Sequence, residues 1–170
     1  MARVTIRTVV PVDAGPLIAA NRASAELHHP WVHPFTDQAG FDAYFRRLDG
    51  EATVGLVARN GETDDVIGVI TTSQIFRKGF QSAYLCFYGI QGQIGRGLMT
   101  EAVRLAVAYA FDELSLHRLE ANVQPGNMRS IAFVERVGFR KEGFSPKYLS
   151  IDGAWSDHER WAILKEEFCG

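Results

Sequence analysis

Three glycines within six residues mark the stretch of this chain whose residue types and spacing suit a chemical role. Gly92, Gly95 and Gly97 lie between an apolar run that ends at Tyr88 and a segment of apolar periodicity that begins at Leu98. Glycine lacks a Cβ and tolerates positive φ, so consecutive backbone N–H groups can turn toward one ligand. The first turn of a following helix adds unpaired N–H groups and the positive end of its dipole. The spacing therefore indicates a strand, a glycine loop and a helix start that together hold a phosphate or pyrophosphate.

The order of the glycines distinguishes this loop from two common phosphate-binding motifs. No Gly-Lys-Ser/Thr follows it, and Gly-x-x-Gly-x-Gly reverses the Gly-x-Gly-x-x-Gly of dinucleotide folds. The loop also lies past the middle of the chain, whereas the dinucleotide fingerprint occupies the first strand-helix turn of its domain. Taken alone, the loop is compatible either with an anion site or with an ordinary tight turn.

A second group of candidate residues lies in segment 27–35, which contains three histidines, two prolines, a tryptophan and a phenylalanine. The prolines argue against a continuous helix, and so many rings in a loop indicate a wall of a binding cleft. The substrate-binding candidates in this segment are His28, His29, Trp31 and His33. The alternative is a loop whose rings pack on the core. No cysteine or carboxylate stands at metal-ligand spacing, so we predict no metal site.

The elements that must position these residues follow from hydrophobic periodicity. We expect strands at 4–9, 53–58, 66–71, 82–88, 116–123, 139–144, 148–151 and 155–164, and helices at 14–25, 38–48, 98–114 and 127–137. The candidate helix N-caps are Asp13, Thr36 or Asp37, and Asn127 or Ser130. The order of the elements predicts a mixed α/β sandwich with a mostly antiparallel sheet, and with two helices near each end of the chain.

Length and composition limit the classes of protein to which this chain can belong. With 170 residues, 46% of them apolar, the chain is long enough for one well-buried core, so we expect a single domain over residues 1–170. Eighteen basic residues against 20 acidic ones give a net charge of −2, without a basic run that would suit nucleic acid or an anionic membrane. The lack of an apolar stretch of about 20 residues, or of a signal-peptide segment, predicts a cytoplasmic protein that does not bind membranes.

Five spaced motifs together resemble one protein family. Over residues 84–160 the chain is similar to the GNAT superfamily of acyl-coenzyme A-dependent N-acyltransferases, in particular to its RimJ/RimL branch of ribosomal-protein N-terminal acetyltransferases. The residues that carry the resemblance are Gly95–Ala102, Leu116–Asn122, Asn127–Ser130, Val137–Phe144 and Asp152–His158. The resemblance implies a GNAT-like α/β fold, with a mixed, mostly antiparallel sheet of about seven strands, about four flanking helices and one splayed strand pair.

The resemblance also implies that acetyl-coenzyme A is the co-substrate. Backbone N–H groups of the glycine loop would hold its pyrophosphate, and its pantetheine arm would insert between the splayed strands like an added strand. The cofactor-binding residues implied are Phe87, Tyr88, Gly89, Gln93, Ile94, Gly95, Arg96, Gly97, Leu98, Asn122, Asn127 and Ser130. Backbone N–H groups near Phe87 to Gly89 are also the candidates for stabilising the oxyanion. A solvated side chain is the alternative for Arg96, and a helix cap is the alternative for Asn127.

The chain departs from the family pattern at three positions. Gly92 stands where the glycine loop often begins with arginine or glutamine, and Cys86 stands where the branch commonly has glycine. Val134 stands where many members of the superfamily have a tyrosine that protonates the coenzyme A thiolate. Ser130, which matches a serine of the RimJ/RimL motif, is therefore the catalytic candidate for the hydrogen bond to the leaving sulfur. Its alternative role is to cap a helix.

A second catalytic role is that of a base for the acceptor amine. Glu120 is the candidate, acting through water, and a cross-strand salt bridge is its alternative; a histidine of segment 27–35 could serve instead. Tyr148 in the last hairpin is a further substrate-binding candidate, although Lys147 beside it argues against an acidic site. An α-amino group, with a pKa of about 7.7–8.0, is more often neutral at pH 7 than a lysine with a pKa of about 10.4, which favours an α-amine acceptor.

Together these features predict an acetyl-coenzyme A-dependent N-acetyltransferase that acts by direct attack in a ternary complex. The acceptor is a primary amine, either at a peptide or protein N-terminus or on a small molecule. One alternative is an antibiotic or polyamine acetyltransferase, or an enzyme that transfers a larger group such as succinyl. The other is a coenzyme A-binding sensor without catalysis, which the absent tyrosine at Val134 would favour. The sequence leaves the acceptor unidentified, and a homodimer is compatible with it.

Overall fold

A computed structural model of the chain describes residues 2–169, and these residues form one sheet of seven strands. The strands are β1 (Val4–Thr8), β2 (Thr53–Asn60), β3 (Val66–Phe76), β4 (Ser82–Gly89), β5 (Arg118–Val123), β6 (Arg140–Ile151) and β7 (Ala154–Leu164). They lie in the order β1-β2-β3-β4-β5-β7-β6, and β4 and β5 are parallel whereas the other neighbouring pairs are antiparallel. The prediction of a mixed, mostly antiparallel sheet is confirmed.

The described residues form five α-helices rather than the four expected: α1 (Ala14–Ala23), α2 (Ala25–His28), α3 (Gln38–Phe45), α4 (Leu98–Asp112) and α5 (Met128–Val137). The difference arises at Ser24, which divides the predicted helix 14–25. The Ser24 hydroxyl donates a hydrogen bond to the carbonyl of Ala20 at 2.8 Å, and such a bond to residue i−4 tends to bend a helix. Within residues 2–169, no helix is long and apolar enough to cross a membrane.

Different helices cover the two faces of the sheet. The helices α4 and α5 pack on one face, and α1 and α3 pack on the other. Successive side chains of a strand point to opposite faces, so Leu119, Ala121 and Val123 of β5 join the α4/α5 core. Glu120 and Asn122 of the same strand therefore face the α1/α3 side. The sequence predicted this alternation.

The carboxylate of Asp13 was expected to cap α1, but it makes no side-chain cap hydrogen bond to any part of the described chain. It instead accepts hydrogen bonds from the guanidinium of Arg7 at 2.6 and 2.7 Å and from that of Arg59 at 3.1 Å. The backbone N–H of Val10 also donates to it at 2.9 Å. Burial opposes ionisation of Asp13, yet these hydrogen bonds outweigh burial and lower its pKa to about 2. Asp13 thus ties β1 and β2 to the turn that precedes α1.

The strands predicted at 139–144 and 148–151 form one strand, β6, whose pairing with β7 is irregular between Ser145 and Leu149. Within this bulge Lys147 has a φ of 48°, and its N–H donates to the Asp157 carboxylate at 2.7 Å. A bulge keeps a strand continuous while it changes the direction of a side chain. Here the bulge changes the direction of the side chain of Tyr148, the residue that follows Lys147.

The parallel strands β4 and β5 pair over a short stretch and then part. Ser82 to Tyr84 pair with Arg118 to Glu120, and no further pairing of these two strands occurs in the described chain. Beyond Tyr84 the strand β4 continues to Gly89, still paired with β3 on its other side. The splayed strand pair that the family resemblance implied is therefore present, with its vertex at Tyr84 and Glu120.

Candidate functional site

A cavity of about 1000 Å³ opens where the end of β4, the glycine loop, the start of α4, the helix α5 and segment 27–35 meet. Twelve residues predicted as site residues line it: His28, His29, Trp31, Phe87, Tyr88, Gly89, Gln93, Ile94, Gly95, Gly97, Asn127 and Ser130. Six other predicted residues lie outside its lining: Arg96, Leu98, Glu120, Asn122, His33 and Tyr148. The structure thus brings together the glycine loop and the histidine-rich segment, which are more than 50 residues apart in sequence.

The glycine loop has the backbone geometry of an anion-binding site. Gly95 and Gly97 both have a φ of 77°, a region that disfavours residues with a Cβ. Gly97 is the N-cap of the 15-residue helix α4 and receives no side-chain cap from the described residues, so the first N–H groups of the helix remain available. Within the described chain, no heavy atom beyond the glycine and its two chain neighbours lies within 4 Å of a Cβ built on Gly95 or Gly97. The loop is therefore open toward the cavity.

Arg96 belongs to the glycine loop but lies outside the cavity lining. The Arg96 guanidinium donates to Gln93 Oε1 at 3.2 Å, and the Arg96 carbonyl accepts a hydrogen bond from Arg3 at 2.9 Å. Leu98 is 3% exposed and packs in the α4/α5 core, so only its backbone can contribute to the site.

Two cationic residues that the sequence analysis missed line the cavity from α5. Arg129 and Arg136 are exposed and stand seven residues apart, about two turns of the helix. This spacing puts them on one face of the helix and was the signal that could have identified them. Met99, Thr100 and Phe133 were also missed, and they line the cavity from the first turn of α4 and from α5.

The first turn of α5 brings Asn127 and Ser130 to the cavity wall. The side chain of Asn127 caps the helix, because its Oδ1 accepts a hydrogen bond from the backbone N–H of Ser130 at 3.1 Å. This cap uses the N–H of Ser130 and leaves the hydroxyl out of the capping interaction. Val134, one turn further along, is fully buried in the α4/α5 core.

Three residues of segment 27–35 make contacts with different parts of the fold. His28 is 4% exposed, and its Nε2 lies 2.8 Å from the carbonyl oxygen of Gly89, so it fixes the end of β4. Trp31 covers the loop between β5 and α5, where a Cβ on Gly126 would come within 3.2 Å of its ring. His33 lies outside the cavity and pairs with Asp152 at 2.9 Å, in the turn between β6 and β7.

Glu120 lies on the α1/α3 side of the sheet and is engaged in an ion pair. Its carboxylate accepts a hydrogen bond from Arg118 Nε at 2.8 Å, and Arg118 also pairs with Glu142 of β6. The hydrogen bonds that Arg118 donates to Glu142 and Glu120 raise the pKa of Arg118, although partial burial opposes this shift. Glu120 therefore has a salt bridge within its own strand, whereas its alternative role was a salt bridge across strands; of these two ion pairs, only that of Arg118 and Glu142 joins two strands.

Tyr148 meets a residue that the sequence analysis did not select. Its hydroxyl lies 3.4 Å from that of Tyr84, at the point where β4 and β5 part. The hydrogen bond with Tyr148, with burial as the second cause, raises the pKa of Tyr84 to about 12. The Tyr84 hydroxyl is therefore protonated at neutral pH.

Comparisons with known proteins show which family this chain resembles. Residues 3–140 match the family described as acetyltransferase (GNAT) domain. Over 124 residues, 73% of the chain, the sequence is 40% identical to the probable N-acetyltransferase YjcK of Bacillus subtilis, and the match covers 68% of that protein.

Two further relatives are informative. Over 61% of the chain, the sequence is 42% identical to the [ribosomal protein uS5]-alanine N-acetyltransferase of Escherichia coli, and the match spans about half of that relative, 54% of its length. The structure of Mycobacterium smegmatis RimJ in complex with CoA-disulfide superposes with a TM-score of 0.85 at 28% identity, covering 98% of this chain and 84% of that one.

Proposed function

This chain belongs to the GNAT acetyltransferase family, and we propose that it is a single-domain enzyme that transfers the acetyl group of acetyl-coenzyme A to a primary amine. The observation that carries the proposal is that the open glycine loop and the end of β4, where β4 has parted from β5, line one cavity. An anion site and an unpaired strand edge are the two features that a pantetheine diphosphate needs.

The residues present fit coenzyme A. The backbone N–H groups from Gln93 to Leu98 would hold the pyrophosphate, and Arg129 and Arg136 would add positive charge for its phosphates. The edge of β4 from Leu85 to Gly89, which has no β5 partner in the described chain, would hydrogen-bond the pantetheine amides. A bound acetyl-coenzyme A would supply an acyl carbon that is already activated as a thioester.

The chemistry follows from a direct attack. The lone pair of a neutral amine forms the new C–N bond, the C–S bond breaks, the nitrogen gives up one proton and the sulfur gains one. Backbone N–H groups on the free edge of β4 stabilise the oxyanion that develops on the acyl oxygen. The Ser130 hydroxyl donates the hydrogen bond that the departing sulfur needs, since the buried Val134 has no polar group to offer.

We assign the acceptor to the α-amino group of a peptide or protein. The relative from Escherichia coli is described as acting on an alanine of ribosomal protein uS5. In this chain three carboxylates on the β5–β7 side are in ion pairs with cations: Glu120 and Glu142 with Arg118, and Glu159 with Lys141. These three carboxylates offer little attraction to a polycation, which disfavours spermidine as the acceptor.

The test is thiol release from acetyl-coenzyme A in the presence of three acceptors: an alanine-initiated peptide without lysine, the same peptide with a blocked N-terminus, and spermidine. The proposal predicts turnover with the free peptide only. Turnover of spermidine alone would support the polyamine alternative. Tight binding of acetyl-coenzyme A without turnover on any amine would support a coenzyme A sensor, the role that Val134 favours. Parallel assays with succinyl-coenzyme A measure the acyl preference.

A further inference from the structure

The contact between Tyr84 and Tyr148 joins strands that are not neighbours. Tyr84 is on β4 and Tyr148 on β6, and β5 and β7 lie between them. At about 4.8 Å per strand, these backbones are about 14 Å apart, so the two side chains must extend over the sheet to meet. The bulge at Lys147, held by its N–H bond to Asp157, changes the direction of β6 beside Tyr148.

The pair lies at the vertex of the parted strands. Tyr84 and Glu120 are the last paired residues of β4 and β5, so a thioester held between the strands would lie close to them. Alternation along β4 puts Tyr84 on the α1/α3 side of the sheet together with Cys86 and Tyr88. The tyrosine hydroxyls are therefore on the opposite side from the helices α4 and α5.

Access to this position is open. Cys86 lies on the fourth strand of the seven-stranded sheet formed by residues 2–169, yet its side chain is exposed. Desolvation by the surrounding protein nevertheless raises the pKa of its thiol. Two neighbouring polar atoms, Asn122 Oδ1 and Arg160 Nε, are buried and have no hydrogen-bond partner among the described residues. They belong to paired residues of β5 and β7, so polar groups without partners among the described residues lie on the strands between Tyr84 and Tyr148.

The two tyrosine hydroxyl oxygens, 3.4 Å apart, can accept the two hydrogen bonds that a primary amine can donate. A neutral primary amine has two N–H donors and one lone pair. If each N–H donates to one tyrosine oxygen, the lone pair remains free to attack the thioester. One hydroxyl hydrogen is used between the two tyrosines, and the remaining oxygen lone pairs can accept.

We propose that the hydroxyls of Tyr84 and Tyr148 bind the acceptor amine and select primary over secondary amines. This inference rests on the proposed acetyltransferase function. A neutral secondary amine has a single N–H and can satisfy only one of the two oxygens. The pair therefore contributes to acceptor recognition, while the cavity beside the glycine loop recognises coenzyme A.

The first experiment compares Tyr84→Phe and Tyr148→Phe with wild type, using an alanine-initiated peptide and acetyl-coenzyme A. Each variant should raise the KM for the peptide about three- to tenfold, the effect of losing one hydrogen bond, with the KM for acetyl-coenzyme A unchanged. Tyr109→Phe, on α4 against the other core, is the matched control and should leave both constants unchanged. An unchanged peptide KM in both variants, in an active enzyme, would overturn the inference.

The second experiment uses a ratio that does not depend on how much enzyme is folded. The kcat/KM for an alanine-initiated peptide is divided by that for its N-methylalanine counterpart, in wild type and in the variant Tyr84→Phe/Tyr148→Phe. The ratio should fall at least about threefold in the variant, because the second N–H no longer contributes a hydrogen bond. If the ratio is equal in both proteins, the tyrosine site is contradicted but the proposed acetyltransferase function is not. A wild-type protein that acetylates no amine contradicts the proposed function itself.

Discussion

Ser130 and Val134 together define what chemistry the proposed site can perform. Val134 is fully buried among apolar side chains, so the first turns of α5 offer Ser130 as the hydroxyl at the cavity wall. The alternative role of Ser130 was to cap the helix. The cap uses Asn127 Oδ1 and the backbone N–H of Ser130, so the two roles involve different atoms and can be separated by substitution.

We predict that Ser130→Ala slows turnover without changing the affinity for acetyl-coenzyme A. The substitution removes the hydroxyl but keeps the N–H that Asn127 caps, so the melting temperature should also stay constant. Loss of a general acid typically costs about 100-fold or more in rate. Steady-state kinetics with Ser150→Ala, an exposed serine of β6, as the control measure the effect. An unchanged kcat would exclude Ser130 from proton transfer.

Asn127 combines a structural role with a position on the cavity wall, and two substitutions distinguish them. Asn127→Ala should destabilise the protein by about 1 kcal/mol, as for other lost N-caps, in urea unfolding. Asn127→Asp keeps the cap and should keep the stability, but its carboxylate should weaken acetyl-coenzyme A binding. If the aspartate variant binds acetyl-coenzyme A like wild type, Asn127 is only a cap.

At the scale of elements, the ion cluster around Asp13 gives stability a defined pH dependence. The folded-state pKa of about 2 lies below the value of about 3.9 in an unfolded chain. The cluster therefore stabilises the fold above about pH 4, and the contribution is lost as pH falls from about 4 toward 2. We expect about 1–2 kcal/mol, allowing for screening at Arg7, which is about half exposed.

The measurement is urea unfolding of wild type and Asp13→Asn between pH 3 and pH 7. The variant should be less stable at pH 7, and the difference from wild type should shrink as the solution becomes more acidic. A difference that stays the same at every pH would show that the charge of Asp13 does not link β1 to β2.

The sequence predicted the elements well where a local pattern decides them. The alternation of Leu119, Ala121 and Val123 predicted both β5 and its buried face, and the glycine loop predicted the start of α4. The errors arose where a single side-chain bond outweighs periodicity. Ser24 bends the first helix through its bond to Ala20, and the bulge at Lys147 keeps β6 continuous where two strands were expected.

At the scale of the whole molecule, the contacts between distant segments could not be predicted. His33 and Asp152 pair across 119 residues of sequence, and Tyr84 and Tyr148 across 64. No local sequence pattern indicates either contact, because each contact depends on the order of the strands and on a loop conformation. The cationic residues of α5 had a helical spacing, but only the packing of α5 beside the glycine loop brings them to the cavity.

The central claim is that backbone N–H groups of the glycine loop bind the diphosphate of coenzyme A. Calorimetric titration of acetyl-coenzyme A into wild type, Gly97→Glu and Gly50→Glu tests it most directly. The two glycines are matched, with φ values of 77° and 76°. In the described chain, no heavy atom beyond the glycine and its chain neighbours lies within 4 Å of a Cβ built on either, so both variants meet the same disfavoured φ and add the same charge. We predict that Gly97→Glu weakens binding at least about 100-fold through repulsion of like charges, while Gly50→Glu binds like wild type. Equal affinities for all three proteins would contradict the assignment of the loop.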